Sequence, residues 1–178
     1  MRRPADGGRQ RAGAAAGSAV FFLLAPGVVA GLVPWLLTGW QIRPVPFWLP
    51  MRVAGAALVA VGAVVLVQAF LRFVLEGIGT PAPVAPTQRL VVGGLYRHVR
   101  NPMYLAVLAV IAGQALALAQ ASLLLYGALV GLAFGLFVHW YEEPALRRQF
   151  GAEYEAYIRA VPAWWPRLRP WCGGRDVS

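Results

Sequence analysis

Two short groups of polar residues interrupt a largely apolar chain and carry the side chains best suited to chemistry. The first group spans residues 96–104 and contains Tyr96, His98, Arg100, Asn101, Pro102 and Tyr104. The second spans residues 139–143 and contains His139, Glu142 and Glu143. Arginine can bind an anion, carboxylates can hold a cation or accept a proton, and aromatic rings can lie against a positive centre.

The first group stands where a helix is expected to begin. Asn101 is a favoured N-cap residue, and Pro102 suits the first helical position because its missing N–H costs nothing there. The free N–H groups of that first turn favour an anionic ligand. An arginine-rich anchor at a membrane interface would have the same composition, so this group alone does not establish a binding site.

The second group precedes Pro144 and is predicted to end a helix. Adjacent carboxylates there oppose the helix dipole, so Glu142 and Glu143 should pair with arginine or hold a cation. A salt-bridged helix end beside Arg147 and Arg148 is the alternative, and His139 could equally be an interfacial histidine. This group contains no second His and no Cys that would complete a metal-binding set, and no metal is predicted.

The composition of the whole chain indicates a membrane protein. Of its 178 residues 59% are hydrophobic and 13% charged, whereas soluble domains usually have about a quarter charged residues. The 16 basic residues are all arginine and give a net charge of +9. They stand at the ends of apolar runs and not along a polar face, which argues against a nucleic-acid-binding protein. The single cysteine, Cys172, excludes an intramolecular disulfide.

The requirement of about 20 apolar residues per span predicts an all-α, polytopic membrane protein with about four transmembrane helices. The first helix covers residues 18–37, and its length favours a retained helix over a signal peptide. The second covers 52–72, extending to 75. Residues 101–141 carry no charge and are long enough for two spans. They predict a hairpin of helices three and four that turns at residues 119–122, followed by an amphipathic C-terminal helix.

The arginines orient this arrangement. Most of them lie in an N-terminal arm (residues 1–17), in the polar segment 76–100 and in the tail after residue 142. The positive-inside rule then places both termini and the polar segment in the cytoplasm, with Trp40 and Trp48 as interfacial anchors. Residues 18–75 would form helices one and two, and residues 76–178 a core that carries both polar groups on one cytoplasmic face.

Glycines at intervals of four residues predict close helix packing in the membrane. They occur at Gly127, Gly131 and Gly135 on helix four and at Gly27 and Gly31 on helix one. The same stripes would permit a homodimer. Residues 77–81 resemble a phosphate-binding loop only superficially, because they lack the third glycine of a dinucleotide fingerprint, and a plain loop is predicted.

Together the two polar groups would suit a zwitterionic cofactor that has an aromatic base and a positive centre. The carboxylates could hold its ammonium group, and arginine with the helix N–H groups could hold its carboxylate. Aromatic faces could lie near a sulfonium.

At these residues the sequence resembles a known family. Residues 94–104, Gly-Leu-Tyr-Arg-His-Val-Arg-Asn-Pro-Met-Tyr, are similar to the Arg-His-Pro-x-Tyr signature of the isoprenylcysteine carboxyl methyltransferase and phospholipid methyltransferase group. Glu142-Glu143-Pro144-x-Leu146, with Phe150-Gly151, Tyr154 and Tyr157, resembles the second motif of that group. Residues 79–83 resemble its bacterial members. Asn101 stands where the signature has histidine, and Ala163 stands where the family often has arginine after proline.

The resemblance implies an integral membrane enzyme that transfers a methyl group from S-adenosylmethionine to a lipophilic acceptor, either a carboxylate, an amine or a thiol. The expected location is a bacterial inner membrane with the active site on the cytoplasmic side, and no nucleic-acid partner is expected. The implied cofactor-site residues are Tyr96, His98, Arg100, Asn101, Pro102, Tyr104, Glu142 and Glu143. Glu142, Glu143 and His139 would be the candidate bases for an amine acceptor.

Two other classes of function remain open from the sequence. One is a membrane reductase of the sterol-reductase type, whose helical core is similar but which uses NADPH. The other is a small non-catalytic scaffold or transporter. A proton-coupled transporter should place an acidic residue in the middle of the membrane, whereas the carboxylates here stand at helix ends.

Overall fold

The computed structural model describes residues 25–46, 48–77 and 89–172, and these residues form five helices and no strand. The all-α class is therefore confirmed. The helices are α1 (Ala25–Thr38), α2 (Trp48–Gly77), α3 (Pro102–Leu118), α4 (Ala121–Phe150) and α5 (Ala152–Ala160). A 3₁₀ turn at Gly94–Arg97 precedes α3. The basic arm, residues 18–24 of the first predicted span and residues 78–88 of the polar segment lie outside the described residues.

Two of the described helices are long and apolar enough to cross a membrane. They are Leu49–Arg72 within α2 and the whole of α4. Only 17% and 11% of their most apolar windows are buried, so these helices expose apolar side chains as a membrane span does. Helix α3 has 17 residues, about 26 Å of helix, and α1 is shorter still. The count of four spans and their orientation stay predictions.

Helix α3 lies at the centre, in contact with α1, α2 and α4. Its contact with α2 brings the two backbones together at glycines. A Cβ atom on Gly113 would lie 2.7 Å from the carbonyl oxygen of Gly55, and one on Gly62 would lie 3.0 Å from the carbonyl oxygen of Ala106. Close backbone approach at small residues is how helices pack in a lipid environment, where dispersion contacts replace the hydrophobic effect.

The glycines predicted to pack closely behave differently. Gly127 and Gly131 do face α3, opposite Ile111 and Leu108. Among the described residues, however, nothing lies within 4 Å of a Cβ added to Gly27, Gly31 or Gly135, so these three glycines do not pack against a described helix. The spacing of residues in the sequence indicates which of them share a helix face, but it does not indicate which face packs against another helix.

Helix α1 contains a proline and is hydrogen-bonded to both helices of the α3–α4 hairpin. Pro34 follows a π-helical turn at Val28–Leu32 and offers no N–H to the carbonyl of Ala30, four residues earlier. The side-chain amide of Gln114 on α3 donates a hydrogen bond to that carbonyl at 2.6 Å. The Tyr126 hydroxyl on α4 donates to the neighbouring carbonyl of Val29 at 2.8 Å. Neighbouring helices thus supply donors that the proline removes.

The turn between α3 and α4 falls where the sequence predicts it. Ala119 has a left-handed backbone with φ of 54°, and Gln120 beside it is buried. The Gln120 side chain donates to the carbonyl of Gln41 at 2.8 Å, and the Arg43 N–H donates to the carbonyl of Leu118 at 3.0 Å. These bonds fasten the α1–α2 connection to the hairpin turn.

Helix α4 does not end at Glu142, contrary to the sequence prediction. It passes through a π-helical turn at Val138–Glu142 and continues to Phe150. Pro144 is tolerated because it lies in the first turn after the π-helical segment. The break comes at Gly151, whose φ of 50° and ψ of −121° lie outside the helical region.

We predict that Gly113→Ala destabilises the protein by about 2 kcal/mol, because the new methyl group would overlap the α2 backbone. Gly135→Ala is the matched control, since its methyl group meets no described atom and alanine favours the helix. Thermal unfolding in detergent micelles measures both. Equal melting temperatures for the two variants would contradict the close contact between α2 and α3.

Candidate active site

The structure brings the two polar groups together where the start of α3 lies beside the far half of α4. A side-chain oxygen of Glu143 lies 2.8 Å from Nη1 of Arg100. The Tyr104 hydroxyl donates to Oε2 of Glu142 at 3.0 Å. Two contacts, one an ion pair and one a hydrogen bond, thus join residues that lie about 40 positions apart in the sequence.

Both carboxylates contact the same end of α3. Arg100 lies two residues before the first helical residue, and Tyr104 lies in the first turn. Glu142 and Glu143 are adjacent, and on a regular helix they would point about 100° apart. The π-helical turn ends at Glu142 and adds a residue to the winding there. Such turns occur frequently at functional sites.

Arg100 is a largely enclosed charge in this cluster. Its side chain is 12% exposed and that of Glu143 18% exposed, so the ion pair is largely shielded from solvent. Nη1 of Arg100 also approaches the hydroxyl of Tyr154 on α5, at 3.5 Å. The Nε atom is buried and has no hydrogen-bond partner among the described residues. A buried donor without a partner is costly, and a bound acceptor group would satisfy it.

Tyr154 is a neutral hydrogen-bond partner of Arg100. Burial raises the pKa of Tyr154 to about 12, although the positive charge of Arg100 opposes the increase. The phenol is therefore protonated at neutral pH, and its oxygen accepts the hydrogen bond from Arg100 without adding negative charge. Within the described part of the chain, the carboxylates of α4 remain the counter-charges of Arg100.

Aromatic rings line the same region. The ring of Tyr104 has its centre 4.6 Å from that of Phe134 on α4. It lies 6.4 Å from that of Trp164 in the segment after α5, residues 161–171, which is called the tail from here on. Sequence reasoning did not identify Phe134 or Trp164 as site residues. Phe134 lies in an uninterrupted apolar run, and Trp164 follows the second motif with no spacing signal to link it to Tyr104.

Two predicted cofactor-site residues use their side chains to hold the tail. The amide of Asn101 donates to the carbonyl of Ala163 at 3.2 Å, and Nδ1 of His98 donates to the carbonyl of Arg167 at 2.8 Å. Asn101 does occupy the N-cap position of α3. Its side chain makes no capping bond, however, because the amide is directed at the tail. The predicted capping interaction is therefore wrong.

The remaining predicted residues lie around this cluster. Pro102 is buried as the first residue of α3. Tyr96 is buried in a small core with Ala69 and Val91. His139 is exposed, and the described residues offer it no hydrogen bond. The described part of the chain also contains no group of His, Cys, Asp and Glu side chains able to hold a metal ion.

The comparison with family models identifies the class of protein. A model described as phospholipid methyltransferase matches residues 50–153, which is more than half of the chain. The chain belongs to this family and is a membrane methyltransferase. Searches of curated proteins and of solved structures found no match. The matched range contains Arg100, Tyr104, Glu142 and Glu143 but not the tail after α5.

We predict that Glu143→Ala destabilises the protein by about 3 kcal/mol, because it leaves the enclosed charge of Arg100 without its nearest counter-charge. Glu155→Ala is the matched control. It removes a similar ion pair, with Arg147 at 2.7 Å, whose side chains are 49% and 40% exposed. That variant should lose less than about 1 kcal/mol. Denaturant unfolding in detergent would show the difference, and equal losses would contradict the assigned role of the enclosed pair.

Proposed function

We propose that this protein transfers a methyl group from S-adenosylmethionine to a nucleophilic group on a lipophilic acceptor. The observation that carries the proposal is the pairing of Arg100, just before α3, with Glu143 and of Tyr104, in its first turn, with Glu142. Membership of the phospholipid methyltransferase family supports the reaction class.

The residues of the site fit such a donor. The unpartnered Nε donor of Arg100 suits a carboxylate, and the carboxylate of Glu142 suits an ammonium group. The ring of Tyr104 offers a face to a sulfonium, and Trp164 lies beside that ring. Each of these contacts matches one functional group of a zwitterionic, positively charged methyl donor.

When bound, S-adenosylmethionine supplies an electrophilic methyl group on a positively charged sulfur. The protein has to align the acceptor with that methyl group and exclude water, and alignment alone can lower a barrier by several kcal/mol. The ion pair between Arg100 and Glu143 fixes the relative position of α3 and α4 around the reaction centre. Phe134 and Trp164 shield the Tyr104 side of the site.

The need for a base depends on the acceptor. A carboxylate or thiolate already carries the electron pair that attacks the methyl group. An amine must lose a proton, and Glu142 is the best-placed of the three predicted bases. Glu143 is engaged with Arg100, whereas Glu142 is held by the neutral hydroxyl of Tyr104. His139 is exposed and stands apart from these contacts.

The surroundings of the site favour lateral access for the acceptor. Helix α4 exposes apolar side chains within two turns of Glu142, namely Leu136, Phe137 and Trp140. In the tail, Trp165 and Leu168 are exposed beside the site. A lipid acceptor would enter from the bilayer, and the donor from the aqueous side. The distribution of arginine supports a cytoplasmic position for this face.

The test is incubation of the purified protein with radiolabelled S-adenosylmethionine and total membrane lipid, followed by identification of the labelled product. We expect label in a lipid fraction. Transfer to no fraction, together with a thermal shift caused by NADPH, would favour the reductase alternative and contradict the proposal.

We predict that Glu142→Gln weakens donor binding by at least about tenfold, because the variant loses the charge that would hold the ammonium group. Isothermal titration calorimetry with S-adenosylmethionine measures the affinity. Glu155→Gln, which removes an exposed carboxylate on α5, should bind as the wild type does. Unchanged affinity in Glu142→Gln would overturn the assignment of Glu142.

A further inference from the structure

We propose that Asn101 is a positioning residue for methyl transfer, because its buried amide holds the tail so that Trp164 closes the site over Tyr104. This inference rests on the proposed function. It also reassigns Asn101, which the sequence placed among the residues that bind the cofactor.

Asn101 holds the tail at Ala163, the residue before Trp164. Asn101 is only 8% exposed, and its Nδ2 donates to the carbonyl of Ala163. Its neighbour Arg100 donates its backbone N–H to the carbonyl of Pro162 at 3.0 Å. Two consecutive residues before α3 therefore hold two consecutive residues of the tail, and Trp164 follows directly.

Other bonds hold the rest of the tail but lie further from Trp164. The N–H of Arg167 donates to the carbonyl of His98 at 3.0 Å, and the imidazole of His98 returns a bond to the carbonyl of Arg167. Arg97 and Trp171 exchange bonds in the same way. The side-chain bond next to Trp164 is the one from Asn101, so this bond sets the position of the indole.

The position of Trp164 affects the site because its ring lies next to that of Tyr104. Its ring faces the ring of Tyr104, whose hydroxyl is bonded to Glu142. Loss of the Asn101 amide would leave the Ala163 carbonyl without its donor and allow the tail to shift. Water could then reach the pair of Tyr104 and Glu142. The result would be poorer alignment in the reacting complex, with little change in binding of the donor.

The described structure contains a matched control for this interaction. Asn101 and Gln120 are its two buried polar side chains, 8% and 6% exposed, and they bracket α3. Each donates its amide to a backbone carbonyl, Gln120 to that of Gln41 at 2.8 Å. Asn101→Leu and Gln120→Met replace each amide with an apolar side chain of similar shape. Both should cost similar stability, but only one of them lies at the site.

The first measurement is steady-state methyl transfer by the wild type and both variants. In Asn101→Leu we expect kcat to fall by about tenfold and KM for the donor to change by less than about threefold. Gln120→Met should retain the kcat of the wild type once the folded fraction is matched. Asn101→His should restore most of kcat, because an imidazole N–H can also donate. A rise in donor KM without a fall in kcat would make Asn101 a cofactor ligand and overturn the proposal.

The second measurement tests whether Asn101 acts through Trp164. Trp164→Ala should lower kcat to a similar extent, and the double variant should be no slower than the slower single variant. Residues that act through one another give non-additive effects, whereas independent residues give additive ones. Additive losses in kcat would overturn the proposal.

Hydrogen–deuterium exchange keeps the inference separate from the proposed function. Asn101→Leu should speed exchange in peptides that cover residues 161–171, whereas Gln120→Met should not. If the wild type transfers no methyl group but this difference is seen, the proposed function fails and the hold of Asn101 on the tail stands. If exchange of the tail is unchanged in Asn101→Leu, the positioning role is overturned whatever the activity.

Discussion

The ion pair between Arg100 and Glu143 is the interaction on which the rest of the site depends. It joins the segment just before α3 to the far half of α4, and the hydrogen bond from Tyr104 to Glu142 adds a second link from the first turn of α3. A charge on an apolar helix is costly unless a partner lies within reach. Glu143 on α4 and Arg100 before α3 are each other's charged partner. The neutral hydroxyl of Tyr154 accepts a further hydrogen bond from Arg100.

Helix α3 carries this arrangement because both of its ends are fixed. Asn101 and Gln120 hold backbone segments at opposite ends, and Gly113 lets α2 approach until the backbones touch. Between the ends, Gln114 supplies a donor to α1 where Pro34 cannot. Polar side chains on an otherwise apolar helix thus satisfy backbone groups of its neighbours, as a low-dielectric environment requires.

The structure gives a role to Asn101, the residue at which this chain departs from the signature that it resembles. The signature has histidine at this position, and either side chain can donate one N–H to a carbonyl. The amide of Asn101 makes such a bond to Ala163, a residue outside the range matched by the family model. The tail, which the family comparison does not cover, therefore contacts the site through the residue at which the chain departs from the signature.

The sequence by itself determined where α3 begins, where the α3–α4 hairpin turns and which polar groups the chain carries. Pro102 lacks an N–H and marks the start of α3, and a charge-free run too long for one span requires the turn at Ala119. Only the tertiary structure decided which groups meet. The contact of Gly55 with Gly113 and the hydrogen bond from Asn101 to the tail depend on neighbours distant in sequence. Local periodicity describes a helix face, but a hydrogen bond or close approach between helices is set by how those faces pack.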